Sequence, residues 1–206
     1  MATNIDVICI SPHPDDAEML VGGTLRLLVK AGKTVAILNL TKGERGSRGA
    51  PETREVEAKK ASGILGTSLL QLDIPDFGIG VGNSYEEQIL KVVDVLRQYR
   101  PSLIIAPGQF DRHPDHEAAN ILCKRAIFAA SMKNYISKHK ALDYKPRTFS
   151  YLFRVIERPS FVVDITEVFA EKQLAIDCYA SQFFVPGVSD VDGTGSAKTL
   201  ISTSLA

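Results

Sequence analysis

A chain of 206 residues with 45% hydrophobic content is long enough for one α/β domain with a substantial core and too short to argue for two. Its 24 basic residues balance 24 acidic ones, so no net field draws it to nucleic acid or to an anionic membrane, and a small molecule is the expected partner. No apolar run approaches the roughly 20 residues of a membrane helix, and the N-terminus lacks a basic-then-apolar leader. Cys9, Cys123 and Cys178 are odd in number and sit in apolar periodic segments, so a cytoplasmic protein with small core cysteines is expected rather than a disulfide framework.

Residues 5–10 (IDVICI) and 34–40 (TVAILNL) are short apolar runs closed by Ser11-Pro12 and Thr41-Lys42-Gly43, and both read as strands buried on two faces. Between them, residues 17–31 place Met19, Leu20, Thr24, Leu27 and Leu28 at helical spacing, with Gly32 as the stop. The unit then repeats, with a helix over 53–65 closed by Gly66, a strand over 69–72, a helix over 85–98 and a strand over 103–106. A helix over 115–132, strands over 148–153 and 161–163, and a helix over 167–179 complete the expected elements. This alternation predicts a single Rossmann-like, doubly wound α/β domain over residues 1–185, its mostly parallel sheet covered by helices on both faces. Residues 186–206 are rich in Gly, Ser, Thr and Asp without a period and predict a loose tail.

Three of the four histidines lie in two short segments, Pro12-His13-Pro14-Asp15-Asp16 and His113-Pro114-Asp115-His116, each just after an expected strand. In a doubly wound sheet the first and fourth strands are neighbours and ligands bind above their carboxyl ends, so both segments should reach one crevice. His13 and Asp16, three residues apart across a turn stiffened by Pro14, can converge on one ion, and His116 would supply a third bond. Three protein ligands leave a position for water, which the ion would make acidic enough to act near neutral pH. Asp15, beside the ligands but aimed differently, is the candidate general base. His113 is the candidate proton donor to a leaving amine or a developing oxyanion, and Asp115 would orient a histidine. Singly, Asp16 and Asp115 also suit helix N-caps, and Glu18 suits the positive end of a helix dipole. The first strand–helix turn lacks Gly-x-Gly-x-x-Gly, which weakens a nucleotide-binding reading, while a metallohydrolase acting on another amide or on an ester stays open.

The runs SPHPDDAEMLVGGTL and DRHPDHEAA resemble the LmbE-like (PIG-L) family of metal-dependent de-N-acetylases, which act on N-acetylglucosamine-type substrates. The similarity extends through TKGERG, Arg54-x-x-Glu57-Ala58, residues 72–76, residues 159–164 and Tyr179-x-Ser181-Gln182-Phe183, and looks most like the bacillithiol-biosynthesis branch, whose substrate is N-acetylglucosaminyl malate. The resemblance implies zinc, or another divalent metal such as iron(II), on His13, Asp16 and His116, with Asp15 as base and His113 stabilising the transition state. It also implies Arg54 and Asp76 on sugar hydroxyls, and a homotrimer or homohexamer. Lys42, Arg45 and Arg48, in a glycine-rich stretch, suit a clamp on the malate carboxylates, or simply a solvated loop.

Overall fold

The computed structural model describes residues 4–46, 48–82, 84–153 and 158–183. Strands β1 (Val7–Ser11), β2 (Val35–Asn39), β3 (Ser68–Gln71), β4 (Leu103–Pro107) and β5 (Arg147–Tyr151) form one sheet in the order β3-β2-β1-β4-β5, with every neighbouring pair parallel. Helices α1 (Asp16–Lys30), α2 (Pro51–Leu65), α3 (Tyr85–Tyr99), α4 (Pro114–Ala130), α5 (Phe169–Asp177) and the single turn α6 (Ala180–Phe183) surround it.

Every residue of β1 and β2 is buried, because helices cover both sides and leave these strands no wet face. The two-residue alternation splits the core. Val7 and Cys9 face Leu25, Ala58 and Ala175 under α1, α2 and α5, whereas Ile8 and Ile10 face Val92, Leu96 and Leu122 under α3 and α4. Each fully buried Ile or Leu contributes about 1.5–3 kcal/mol, and these residues carry the fold. Helix α2 begins on Pro51, whose missing N–H costs nothing at a first helical position, and ends at Gly66 in the left-handed region (φ 74).

Ile8 pairs with Ala36 of β2 on one side and Ile104 of β4 on the other, so the chain builds outward from β1 to β3 and then returns to β4. The predicted switch point is therefore present, and the loops after β1, β2, β3 and β4 all open at the same edge of the sheet.

The end of the fold departs from expectation. Residues 161–163 form no strand; Phe161 and Val162 are exposed, and the Phe161 ring packs edge-on against Phe149 of β5 at 5.2 Å between centroids. β-branched and aromatic content marks a strand only where a hydrogen-bonding partner lies in register, and among the described residues no strand pairing is assigned to this segment. The single helix expected over 167–179 instead starts as a 3-10 turn, Thr166–Val168, led by Asp164 accepting from the Thr166 amide at 2.9 Å, and breaks after Asp177 before α6. The expected tail, 186–206, lies outside the described residues.

Candidate active site

The turn between β1 and α1 is built by its own hydrogen bonds. Ser11 donates its hydroxyl to the His13 carbonyl (2.7 Å) and accepts from the Ala17 amide (3.2 Å), while Thr41, at the end of β2, donates to the Pro12 carbonyl (3.0 Å). Arg54 of α2 completes the hold, giving Nη2 to the Pro14 carbonyl (2.6 Å) and to Asp15 Oδ2 (3.3 Å) and Nη1 to the Gly43 carbonyl (3.0 Å). Gly43 is left-handed (φ +64), and a Cβ there would fall 1.9 Å from Arg54 Nη1, so only glycine lets the guanidinium lie this close. Asp15 also has a positive φ, 110°, a conformation costly for a residue with a side chain.

His13, Asp16 and His116 converge. Asp16 Oδ2 lies 3.2 Å from His13 Nδ1 and 3.3 Å from His116 Nε2. The outer nitrogens of both imidazoles meet carboxylates: His13 Nε2 is 3.1 Å from Asp76 Oδ1 and 3.3 Å from Asp115 Oδ2, and His116 Nδ1 is 3.1 Å from Asp111 Oδ1. Protons placed on those outer nitrogens leave His13 Nδ1 and His116 Nε2 as lone-pair donors facing Asp16, the pattern of a metal centre whose histidines are braced by carboxylates. The ligand atoms that lie within 4.8 Å of one another group His13 with His113 and His116, and His13 with Asp76 and Asp115. Asp16 Oδ2 contacts both inner nitrogens, and two nitrogens plus a carboxylate oxygen are a donor set that zinc accepts.

The charges also favour a cation here. Burial works against a charge on His13, yet hydrogen bonds with Asp115, Asp16 and Asp76 push its pKa up to about 11. Burial would raise Asp16, but the two imidazoles hold it well below the usual carboxylate range, and Asp76 is brought to about 2 against its own burial by His13 and the Arg45 amide.

Asp15 and His113 face the same cleft of about 550 Å³, which His13, Asp16, His116, Met19, Arg45, Arg54, Asp76, Phe77 and Gln182 also line. Burial, with Asp16's like charge beside it, pushes the Asp15 carboxyl well up, and Arg54 opposes the shift. His113 is the N-cap of α4, its Nδ1 accepting from the Asp115 amide at 3.2 Å, so in the neutral ring Nε2 must carry the proton. Burial and the neighbouring His13 and His116 lower its pKa and favour that neutral form. Neither Asp16 nor Asp115 caps a helix; they occupy the first and second positions inside α1 and α4.

Arg54 lies in the cleft wall, but its terminal nitrogens are spent on two loop carbonyls and on Asp15 rather than left free for a sugar. Asp76 is buried against His13 and the Arg45 amide. Of the three loop cations only Arg45 lines the cleft: Lys42 is exposed, with its charge acting on Glu55 and Asp73, and Arg48 contributes a backbone carbonyl that accepts from Gln182. Glu18 is not a surface charge at a helix end; it is fully buried and accepts from the Tyr179 hydroxyl at 2.8 Å. Sequence reasoning missed Asp111, although its position two residues before His113 suits a turn that accepts the His113 amide (2.8 Å). It also missed Phe153, whose ring stacks on His116 with centroids 3.9 Å apart; no local pattern marks that contact.

A family model described as GlcNAc-PI de-N-acetylase (PIG-L) matches residues 8–127. A diacetylchitobiose deacetylase of Thermococcus kodakarensis is 30% identical over 190 residues, covering 86% of this chain and 70% of that protein. A probable N-acetyl-α-D-glucosaminyl L-malate deacetylase of Bacillus cereus is 28% identical (85% and 83% covered), and a 4-oxalmesaconate hydratase of Pseudomonas putida is 26% identical (85% and 73%). Among solved structures, a conserved protein of Thermus thermophilus superposes with a TM-score of 0.81 at 38% identity, covering 87% of this chain and 80% of that one. The matched segment spans β1 through most of α4, the stretch that supplies every residue of the Asp16-centred cluster, and the chain belongs to the GlcNAc-PI de-N-acetylase (PIG-L) family.

Proposed function

We propose that this de-N-acetylase uses zinc, or another divalent ion such as iron(II), to release acetate from an N-acetylglucosamine-type small molecule, with N-acetylglucosaminyl malate of bacillithiol biosynthesis as the substrate. One observation carries the reading: two imidazoles, each braced from outside by a carboxylate, present their inner nitrogens to a single Asp16 oxygen, with Asp15 and His113 facing the same cleft. His13, Asp16 and His116 would hold the ion, which when bound would polarise the amide carbonyl and acidify water.

The remaining steps belong to the chain. Asp15, made more basic by burial, accepts a proton from the attacking water. As the carbonyl carbon becomes tetrahedral, its oxygen takes a hydrogen bond from His113 Nε2–H, whose direction is set by the Asp115 amide on Nδ1. The C–N bond breaks as the amine nitrogen takes the proton held by Asp15, giving free amine and acetic acid, which ionises to acetate in solution. Arg45, at the cleft wall, is the cation placed to meet a carboxylate on the part of the substrate that stays behind. We read the protein as cytoplasmic and as a homotrimer or homohexamer; the exposed Phe149, Phe161 and Val162 beside the edge strand β5 supply apolar surface for such contacts.

Metal analysis combined with acetate release from N-acetylglucosaminyl malate, N-acetylglucosamine and diacetylchitobiose tests the reading. One bound ion per chain and highest kcat/KM on the malate conjugate are expected. Hydration of a carbon–carbon double bond with no acetate released, the chemistry named for the Pseudomonas relative, would overturn it.

A further inference from the structure

We propose that Asp76 is a positioning residue that couples the ion site to the loop carrying Arg45, so that ion occupancy and the order of that wall of the cleft rise and fall together. The inference rests on His13 being a metal ligand, as read above. Asp76 is buried, and its two carboxylate oxygens face different partners: Oδ1 lies 3.1 Å from His13 Nε2, and Oδ2 accepts the Arg45 amide at 2.9 Å. Its own amide donates to Glu44 Oε1 at 2.7 Å, so the loop grips Asp76 from both sides.

His13 Nε2 has one proton to give and two carboxylates near it. Asp115 Oδ2 is farther away, at 3.3 Å, and accepts the Phe77 amide at 2.7 Å, so Asp76 Oδ1 is the nearer acceptor for that proton. A cation on His13 Nδ1 would withdraw charge through the ring and strengthen the Nε2–H donor, drawing in Asp76. A carboxylate is rigid and planar, so fixing one oxygen orients the other toward the Arg45 amide. The loop's other end is tied independently of the ion site, through Gln182 donating to the Arg48 carbonyl (2.7 Å) and Ser181 to Glu57 (2.6 Å). The Asp76 bond is thus the direct tie between His13 and the Arg45 segment, beside the Arg54 bonds that link the Gly43 carbonyl to Pro14 and Asp15, and by reciprocity an ordered loop would tighten the hold on the ion.

Limited trypsin digestion of the full chain, ion-free and zinc-loaded, reads the loop directly through cleavage after Arg45, with cleavage after the exposed Lys138 as the remote control and zinc content measured in parallel. Zinc should slow cleavage after Arg45 several-fold in the unsubstituted protein and leave cleavage after Lys138 unchanged. Asp76→Asn should bind zinc about tenfold more weakly and, even saturated with zinc, be cleaved after Arg45 at the ion-free rate. Equal zinc protection in both proteins, or none in an unsubstituted protein that demonstrably holds zinc, overturns the coupling alone. A chain that takes up no zinc overturns the metal reading and the coupling with it. The comparison within the unsubstituted protein stands even if Asp76→Asn does not fold.

Discussion

Replacing Glu18 with glutamine should reverse a pH-dependent weakness in the ion-free chain. Glu18 is fully buried, with Oε1 accepting from Tyr179 at 2.8 Å and Oε2 buried without a partner among the described residues. Burial raises its pKa from 4.5 to about 7 despite the Tyr179 bond, and Asp16's charge adds to the shift. The folded-state value is the higher one, so Glu18's contribution is fully present below pH 4.5, where both states hold the proton, and is lost as pH rises through about 7. The gap corresponds to about 3 kcal/mol. Glutamine keeps an acceptor for Tyr179 and adds a buried N–H donor at a pH-independent cost of about 1–3 kcal/mol. Urea unfolding of both proteins after chelation, at a series of pH values, should therefore show the stability of Glu18→Gln relative to the unsubstituted protein climbing by about 3 kcal/mol between the acid and alkaline ends. Zinc should shrink that climb, because a cation on Asp16 cancels the like charge that helps raise Glu18. Parallel stability–pH curves for the two ion-free proteins would refute the burial argument.

Asp15→Gly relieves the positive φ but strips the buried Arg54 guanidinium of its carboxylate, so no gain in stability is expected, while kcat should fall at least about 100-fold with zinc content unchanged; chemical denaturation, turnover and metal analysis check the three parts. Asp111→Asn, which removes the carboxylate behind His116, should weaken zinc about 10–100-fold, and a competition titration showing unchanged affinity would remove Asp111 from the site. Arg45→Ala should raise KM for the malate conjugate and not for neutral N-acetylglucosamine; equal effects on both would discard a carboxylate-binding role.

Much of this architecture was legible because it obeys local rules. Continuous apolar runs mark β1, β2 and β4, the 3.6-residue period and its glycine stops mark α1 and α2, and doubly wound topology places the ends of β1 and β4 side by side, so residues as distant as Asp16 and His116 were predictable neighbours. What stayed hidden is governed by long-range contact. Asp76 reaches His13 from the loop after β3, Phe153 reaches His116 from beyond β5, and Glu18 finds Tyr179 across the chain. None of these pairs leaves a spacing in the sequence. The strand expected over 161–163 misled for a related reason: composition was read as placement, whereas hydrogen-bond register decides it.

Asp15 shows how far a local rule is broken for the sake of the site. Its backbone adopts φ 110°, where glycine would be easier, and its carboxyl is buried next to Asp16. Such a conformation costs about 1–3 kcal/mol and persists only where surrounding bonds over-determine it. The hydroxyls of Ser11 and Thr41 and the guanidinium of Arg54 do so, fixing the carbonyls of Pro12, His13 and Pro14 before the strained residue, while Ser11 also accepts the Ala17 amide after it. A carboxylate kept at a position whose backbone conformation suits glycine argues for chemistry at that carboxylate. The brace that holds it also explains why Arg54 lies buried in the cleft wall with few donors left for a substrate.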